Sequence, residues 1–180
     1  MIKAEIQNLR SKIDQIDDAI AQLLSNRINC SKKINLLKDE LRNSSEIDKI
    51  GAYDPIRENQ IIEHLKTKYD SIPFNGLEII FRQIISLCRN NSHKSTICLL
   101  GKFDDFNYIN YFGNFCDYVE CSNTVYWINE LKKNIFNIGL SDCLIDEKTK
   151  NELFFMDFEQ ADIQFGIDES ISPIRIYFHK

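Results

Sequence analysis

Apolar residues recur along the opening stretch as Ile6, Leu9, Ile13, Ile16, Ile20, Leu23, Leu24, Ile28, Ile34, Leu37 and Leu41. Steps of three and four form one stripe of a helix, and no Pro or Gly interrupts it before Gly51. The pattern predicts helix one over residues 4–41, with an interior of Leu, Ile, Lys, Gln and Glu that suits a helix. A helix of about 38 residues cannot bury such a stripe against itself and needs long partners.

The stretch Arg42–Gly51 is polar and reads as a loop or frayed turn. Beyond it, Asp54 is placed to cap a helix, Pro55 suits its first position and Glu58 its first turn. Helix two then carries Ile56, Ile61, Ile62 and Leu65 and ends near Tyr69. Ile72-Pro73-Phe74-Asn75 is a turn, and helix three takes Leu77, Ile80, Phe81, Ile84, Ile85 and Cys88. The composition changes after Asn90-Asn91-Ser92-His93. Thr96–Leu100 reads as a strand, Phe103–Phe112 as an aromatic helix or irregular segment, Asp117–Cys121 as a strand and Val125–Lys133 as a helix. Phe136–Leu140, Ile163–Ile167 and Arg175–His179 read as further strands. The organisation is therefore an all-α three-helix domain over 1–92 and a small α/β or α+β domain over 93–180.

Three cations change the picture from architecture to chemistry. Arg27 and Lys38 are eleven residues apart, three turns, which returns them to nearly one face about 16 Å apart along the axis. Two side chains of about 6–7 Å reach can close on one small molecule held between them. Arg10 precedes Arg27 by seventeen residues, about 25 Å along the same helix. It joins that grip only from another copy packed antiparallel. The pattern reads as a small-dianion site built across a helical dimer.

Charge and composition narrow the alternatives. The 180 residues are 43% hydrophobic and 27% charged, as in a soluble globular protein. Residues 1–92 carry 14 Lys and Arg against 13 Asp and Glu, and residues 93–180 carry 8 against 14. An acidic second half without a basic run argues against nucleic-acid binding. No apolar run approaches the length of a membrane span. The chain opens on a charged amphipathic helix, with no signal-peptide core. The cysteines, at positions 30, 88, 98, 116, 121 and 143, follow no metal-ligand spacing and read as reduced packing thiols of a cytoplasmic protein. No metal site and no cofactor is expected.

The first half resembles the all-helical chorismate mutases. The features that carry the resemblance are Leu9-Arg10-xx-Ile13-xx-Ile16-Asp17, Leu24-xx-Arg27, Lys38 eleven residues on, Asp54-Pro55-Ile56-Arg57-Glu58, and Ile80-Phe81-Arg82-xx-Ile85. It covers about half the chain and rests on the order and spacing of the set. The resemblance implies three helices per subunit in an intertwined homodimer. It also implies a place in aromatic amino acid biosynthesis, as the shikimate-pathway isomerase that rearranges chorismate to prephenate.

Carried over by position, Arg27 and the partner subunit's Arg10 would bind the two carboxylates. Lys38 would approach the ether oxygen and a carboxylate, Glu58 would take the ring hydroxyl, and Asp54 and Arg57 would shape that end. Asp54 serves as cap, as substrate contact, or as both. A one-molecule pericyclic rearrangement needs no nucleophile, metal or proton transfer. It needs a flexible dianion held in its reactive conformer and charge stabilised on the breaking ether oxygen. Guanidinium groups match carboxylates, and a compact ammonium suits a single oxygen.

Two positions depart from the family. Its small hydroxyl residue in helix three is here Cys88, and the Gln or Glu that donates to the ether oxygen is Ser92. A serine is too short to replace it directly, so a bridging water or a lower rate is expected. Arg42–Gly51 is also several residues longer than usual. In the second half, Ile97-Cys98-Leu99-Leu100-Gly101 faintly resembles the opening strand of prephenate dehydratase, a frequent fusion partner of the mutases. The region is far shorter than a complete dehydratase and shows no Thr-Arg catalytic pair. One glycine after that strand is too few for a dinucleotide site. Residues 93–180 read as a reduced or unrelated, non-catalytic and regulatory module. The preferred function is a cofactor-free mutase dimer with Lys38 as principal electrostatic catalyst and Ser92 at the ether oxygen. Two alternatives stay open: a weakened mutase-like domain serving as a ligand-sensing or dimerising module, and pyruvate elimination from isochorismate on the same scaffold.

Overall fold

The computed structural model describes residues 1–43, 53–101, 103, 108–133, 137–141, 145, 153–157 and 175–179. Helix α1 spans Ile2–Asn43 without a break, α2 spans Pro55–Lys68 and α3 spans Phe74–Asn90. The polar stretch after Leu41 thus opens with two more helical residues, and 44–52 lie outside the described residues. At the start of α2 the Asp54 carboxylate accepts from the Arg57 backbone N–H at 2.9 Å, and Pro55 follows it. The cap meets a donor that the first turn leaves unsatisfied.

Two different faces run along α1. From Ile2 to Leu23 its residues are all exposed. Ile6, Leu9, Ile13, Ile16, Ile20 and Leu23 are among the exposed large apolar residues, and so are Ile34, Leu37 and Leu41 further on. The buried or half-buried residues are Leu24, Arg27, Ile28, Ser31, Asn35, Lys38 and Asp39, again at helical spacing. This second stripe, and not the apolar one, lies on the side of α1 that packs against α3. Among the described residues, no helix is long and apolar enough to cross a membrane.

On α3 the sequence reading needs correction. Leu77, Ile85 and Cys88 are buried as expected, but Ile80 is 56% exposed, and Arg82, Ser86 and Arg89 are buried in its stead. The helix turns its inward face by about one residue, roughly 100°, relative to the apolar stripe. Polar partners waiting on α2 and on the following helix explain why it can.

A five-stranded sheet follows: β1 (Thr96–Leu100), β2 (Asp117–Glu120), β3 (Ile138–Ser141), β4 (Leu153–Asp157) and β5 (Arg175–His179), in the order β2-β1-β3-β5-β4. β1 runs parallel to β2 and β3, while β5 is antiparallel to β3 and β4. Helices α4 (Tyr108–Phe112) and α5 (Thr124–Lys132) connect the parallel strands. β4 was not legible in the pattern, and the strand expected at Ile163–Ile167 lies outside the described residues.

β1 is buried on both faces, which is why it reads as a continuous apolar run. Ile97 and Leu99 pack with Tyr111, Phe112, Ile138, Leu140 and Tyr53, while Cys98 and Leu100 pack with Trp127, Leu131 and Cys121. Trp127 is fully buried and its indole N–H donates to the Cys98 carbonyl at 2.9 Å. Each large apolar side chain buried in this way contributes about 1.5–3 kcal/mol. Tyr53 precedes α2, so the first core cluster joins the helical segment to the sheet.

Gly113 ends α4 at φ +82°, and a Cβ there would stand 2.3 Å from the Ser86 Cβ on α3. Both the backbone conformation and the close approach of α3 and α4 require glycine. Gly113→Ala is expected to cost about 2 kcal/mol or more, measured by urea unfolding of the full chain. A loss within error of zero would contradict this account of the α3–α4 contact.

Candidate active site

The expected site residues come from α1, α2 and α3, with Asp54 just before α2 and Ser92 just past the end of α3. Arg27 is half-buried on α1 and its Nη1 donates to the Ile84 carbonyl of α3 at 3.5 Å. Lys38 is half-buried on the same inward stripe. Beside it, Asp39 stands 3.1 Å from the His93 imidazole just past α3, so the last turns of α1 close against the end of that helix. Glu58 on α2 is 6% exposed, and Cys88 on α3 is 2% exposed. Ser92 is half-buried, and its hydroxyl oxygen is buried without a hydrogen-bond partner among the described residues.

Two members stand apart. Arg57 is exposed, with Nη1 3.5 Å from the Gln60 side-chain oxygen. Arg10 is exposed on the projecting half of α1, about 25 Å along the helix from Arg27. Within one chain, then, Arg27 and Glu58 are brought within electrostatic reach of one another and Lys38 shares the Arg27 face, while Arg10 is remote.

The sequence reading missed the cations nearest Glu58. Arg89 Nη1 donates to Glu58 Oε1 at 3.1 Å, and both residues are buried. Its Nη2 donates to the Phe112 carbonyl at 2.8 Å, and the guanidinium lies 5.0 Å from the Tyr53 ring centre. Arg82 donates through Nη2 to Asn59 Oδ1 at 3.3 Å and to Glu78 Oε1 at 3.2 Å, and stacks 4.1 Å from the centre of Tyr111. Tyr53 and Tyr111 share a hydroxyl hydrogen bond of 3.0 Å. One signal could have found the pair: Arg82 and Arg89 are seven residues apart, on the same face as Ile85. Two arginines on the apolar side of a helix imply buried acceptors.

These charges set the ionisation of the site. Burial raises the Glu58 carboxyl above the usual range, and Arg89, then Arg82, pull it part of the way back; Asp54 adds to the rise and Arg27 opposes it. Burial disfavours the charge on Arg89, but Glu58, with Cys116, Tyr53 and Tyr111, together outweigh it and hold the guanidinium protonated. Burial also pushes the Tyr111 hydroxyl up to about 12, so it stays neutral while it accepts from the Tyr53 hydroxyl. What results is a carboxylate acceptor at the edge of a cationic helical face. Among the described residues, no cluster of side chains could hold a metal ion.

Residues 9–93 match the family model for chorismate mutase type II. The chain is 30% identical over 126 residues to the bifunctional chorismate mutase/prephenate dehydratase of Aquifex aeolicus (strain VF5), a match covering 66% of this chain and 33% of that protein. It thus spans about a third of that relative's length. Because 66% of the chain is more than its first 93 residues, this similarity continues past the family match into the sheet segment. No solved structure matches the chain. The resemblance carried by the motifs of the first half is thereby shown.

The raised Glu58 carboxyl has a stability consequence of definite sign. The folded chain binds this proton more tightly than the unfolded chain. The contribution is therefore present below the ordinary glutamate pKa and is lost as pH rises through the raised value. Glu58→Gln removes it. Unfolding free energies from urea, measured from about pH 4 to 7, are expected to show wild-type stability declining relative to Glu58→Gln as pH rises. A difference independent of pH would contradict the assignment.

Proposed function

We propose, from the match of residues 9–93 to the type II chorismate mutases, that this chain rearranges chorismate to prephenate in an intertwined homodimer. One observation carries the reading: Arg27 and Lys38 lie on the inward stripe of α1, with Arg27 acting on the Glu58 carboxylate offered by α2. Arg27 and the partner subunit's Arg10 hold the two carboxylates in the reactive conformer. Lys38 meets the charge that grows on the ether oxygen. Glu58 accepts the ring hydroxyl as an ionised acceptor. Asp54 holds the first turn of α2 in place, Arg57 closes that end, and Cys88 lines the helix-three side.

Ser92 supports the same reading in a weaker form. Its buried hydroxyl lacks a partner among the described residues, a donor available to the ether oxygen through a water. Losing one direct donor to developing charge typically costs about 2.7–4 kcal/mol, so the rate is low for such a site. The exposed apolar stripe of α1 gives the homodimer its surface, and antiparallel packing brings the second Arg10 to the first Arg27. The reading divides the chain at 92/93, with the sheet segment as a regulatory module of this mutase.

A second reading draws on the Arg89–Glu58 pair, which takes up one of the two carboxylate oxygens offered to the substrate hydroxyl. In that case the helical domain binds chorismate or prephenate without turnover and serves the sheet segment as a sensing or dimerising module.

Chorismate loss followed by ultraviolet absorbance, with the product identified, separates the readings. Wild type is expected to form prephenate. Lys38→Ala is expected to lose about a hundredfold or more, and Ser92→Gln to gain. Retained activity in Lys38→Ala would sink the mutase reading; binding without turnover would establish the second. Sedimentation is expected to give a dimer, and a monomer at micromolar concentration would contradict the shared site.

A further inference from the structure

We propose that Arg89 is a positioning residue of this site, tying the Glu58 carboxylate to the Phe112 carbonyl of the sheet segment. The inference rests on the mutase reading and extends it to a residue outside the expected set.

The geometry is that of a bridge. Arg89 spends one terminal nitrogen on Glu58 Oε1 at 3.1 Å and the other on the Phe112 carbonyl at 2.8 Å. Among the described residues, the Glu58 carboxylate has no other hydrogen-bond partner, so Oε2 is left for a ligand hydroxyl. Neither anchor can drift. Phe112 is fully buried in the core cluster with Ile97 and Leu99 of β1. Gly113 follows it in a conformation that lets α4 press against Ser86 of α3, one turn before Arg89. The guanidinium plane lies against Tyr53 and, at 6.0 Å, Phe112, which fixes it more firmly than an ammonium would be.

A bridge of this kind does two things. It opposes the effect of burial on the carboxylate and so favours its ionised form, the state in which it accepts a hydrogen bond from a substrate hydroxyl. It also transmits any displacement of α4 to the carboxylate, because a fixed fork holds both ends. The charged and titratable groups facing Glu58 are Arg89 and Arg82 from α3, Arg27 from α1, Asp54 at its own helix start, Tyr53 before that helix and Tyr111 from α4. Among the cations, Arg89 has the greatest effect on Glu58 and is the one joined to it by a hydrogen bond.

The test compares full-length wild type, Arg89→Gln and Arg89→Lys. It reads kcat and KM for chorismate against pH, and the Glu58 carboxyl titration by carbon NMR, identified with Glu58→Gln. Arg89→Gln is expected to move the Glu58 titration and the acid limb of kcat/KM up by about one pH unit or more. The loss at neutral pH falls mainly on KM, about tenfold or more. Arg89→Lys keeps the charge without the fork; its limb stays near that of wild type while KM still rises.

An unmoved titration in folded Arg89→Gln, or an acid limb equal to that of wild type, overturns the proposal. If Arg89→Gln does not fold, Arg89→Lys decides: wild-type KM overturns the proposal, and raised KM with the limb in place supports it. If wild type binds chorismate but shows no turnover, the mutase reading falls by itself. The bridge is then judged by the NMR titration and by chorismate affinity, which Arg89→Gln must weaken.

Discussion

A helix whose apolar residues stay in water is the constraint that the rest of this molecule answers to. α1 runs from Ile2 to Asn43, and its residues from Ile2 to Leu23 are all exposed within the chain. Exposed Ile and Leu at helical spacing along this length exceed the scattered apolar residues of an ordinary surface. A stripe so long is satisfied by another helix of similar length. That demand places the catalytic proposal across two subunits, because the helix that presents Arg27 and Lys38 inward carries Arg10 away from them.

The burial pattern separates two jobs on α1. Apart from Leu24 and Ile28, the apolar stripe faces outward, while the stripe packed toward α3 is partly polar, with Arg27, Ser31, Asn35, Lys38 and Asp39 among its members. Such a face is poor material for a core and good material for a charged ligand. The cost is met by pairing: Glu58 with Arg89, and Arg82 with Glu78 and Asn59. Buried pairs of this kind contribute little net stability against an apolar alternative. They fit the proposed placement of the Glu58 carboxylate.

What the sequence revealed and what it hid divide along physical lines. Local signals were legible: the three-and-four spacing of α1, the Asp54-Pro55 start of α2, the apolar run of β1 and the extent of β5 at Arg175–His179. Each depends on residues a few positions apart. Arg89 was not legible, because its partners are 31 residues away on α2 and 23 residues away at Phe112. Ile80 misled for the same reason: the apolar pattern of α3 marks two faces, and only contacts from distant segments decide which one turns inward. Strand order is equally non-local, and β1 lies between β2 and β3 although β2 precedes β3 by a helix. Of the expected site, Arg27 and Lys38 lie on the half-buried stripe of α1 and Glu58 is buried on α2, while Arg57 is exposed.

The shared site is tested most directly by subunit complementation. Arg10→Ala and Arg27→Ala, each inactive alone, are unfolded together and refolded as a mixture. In a mixed dimer one site receives both defects and the other receives none, so the account predicts recovery of about a quarter of wild-type turnover at equal mixing. No recovery, with wild type active and the mixed dimer formed, would contradict a site built from two copies of this chain.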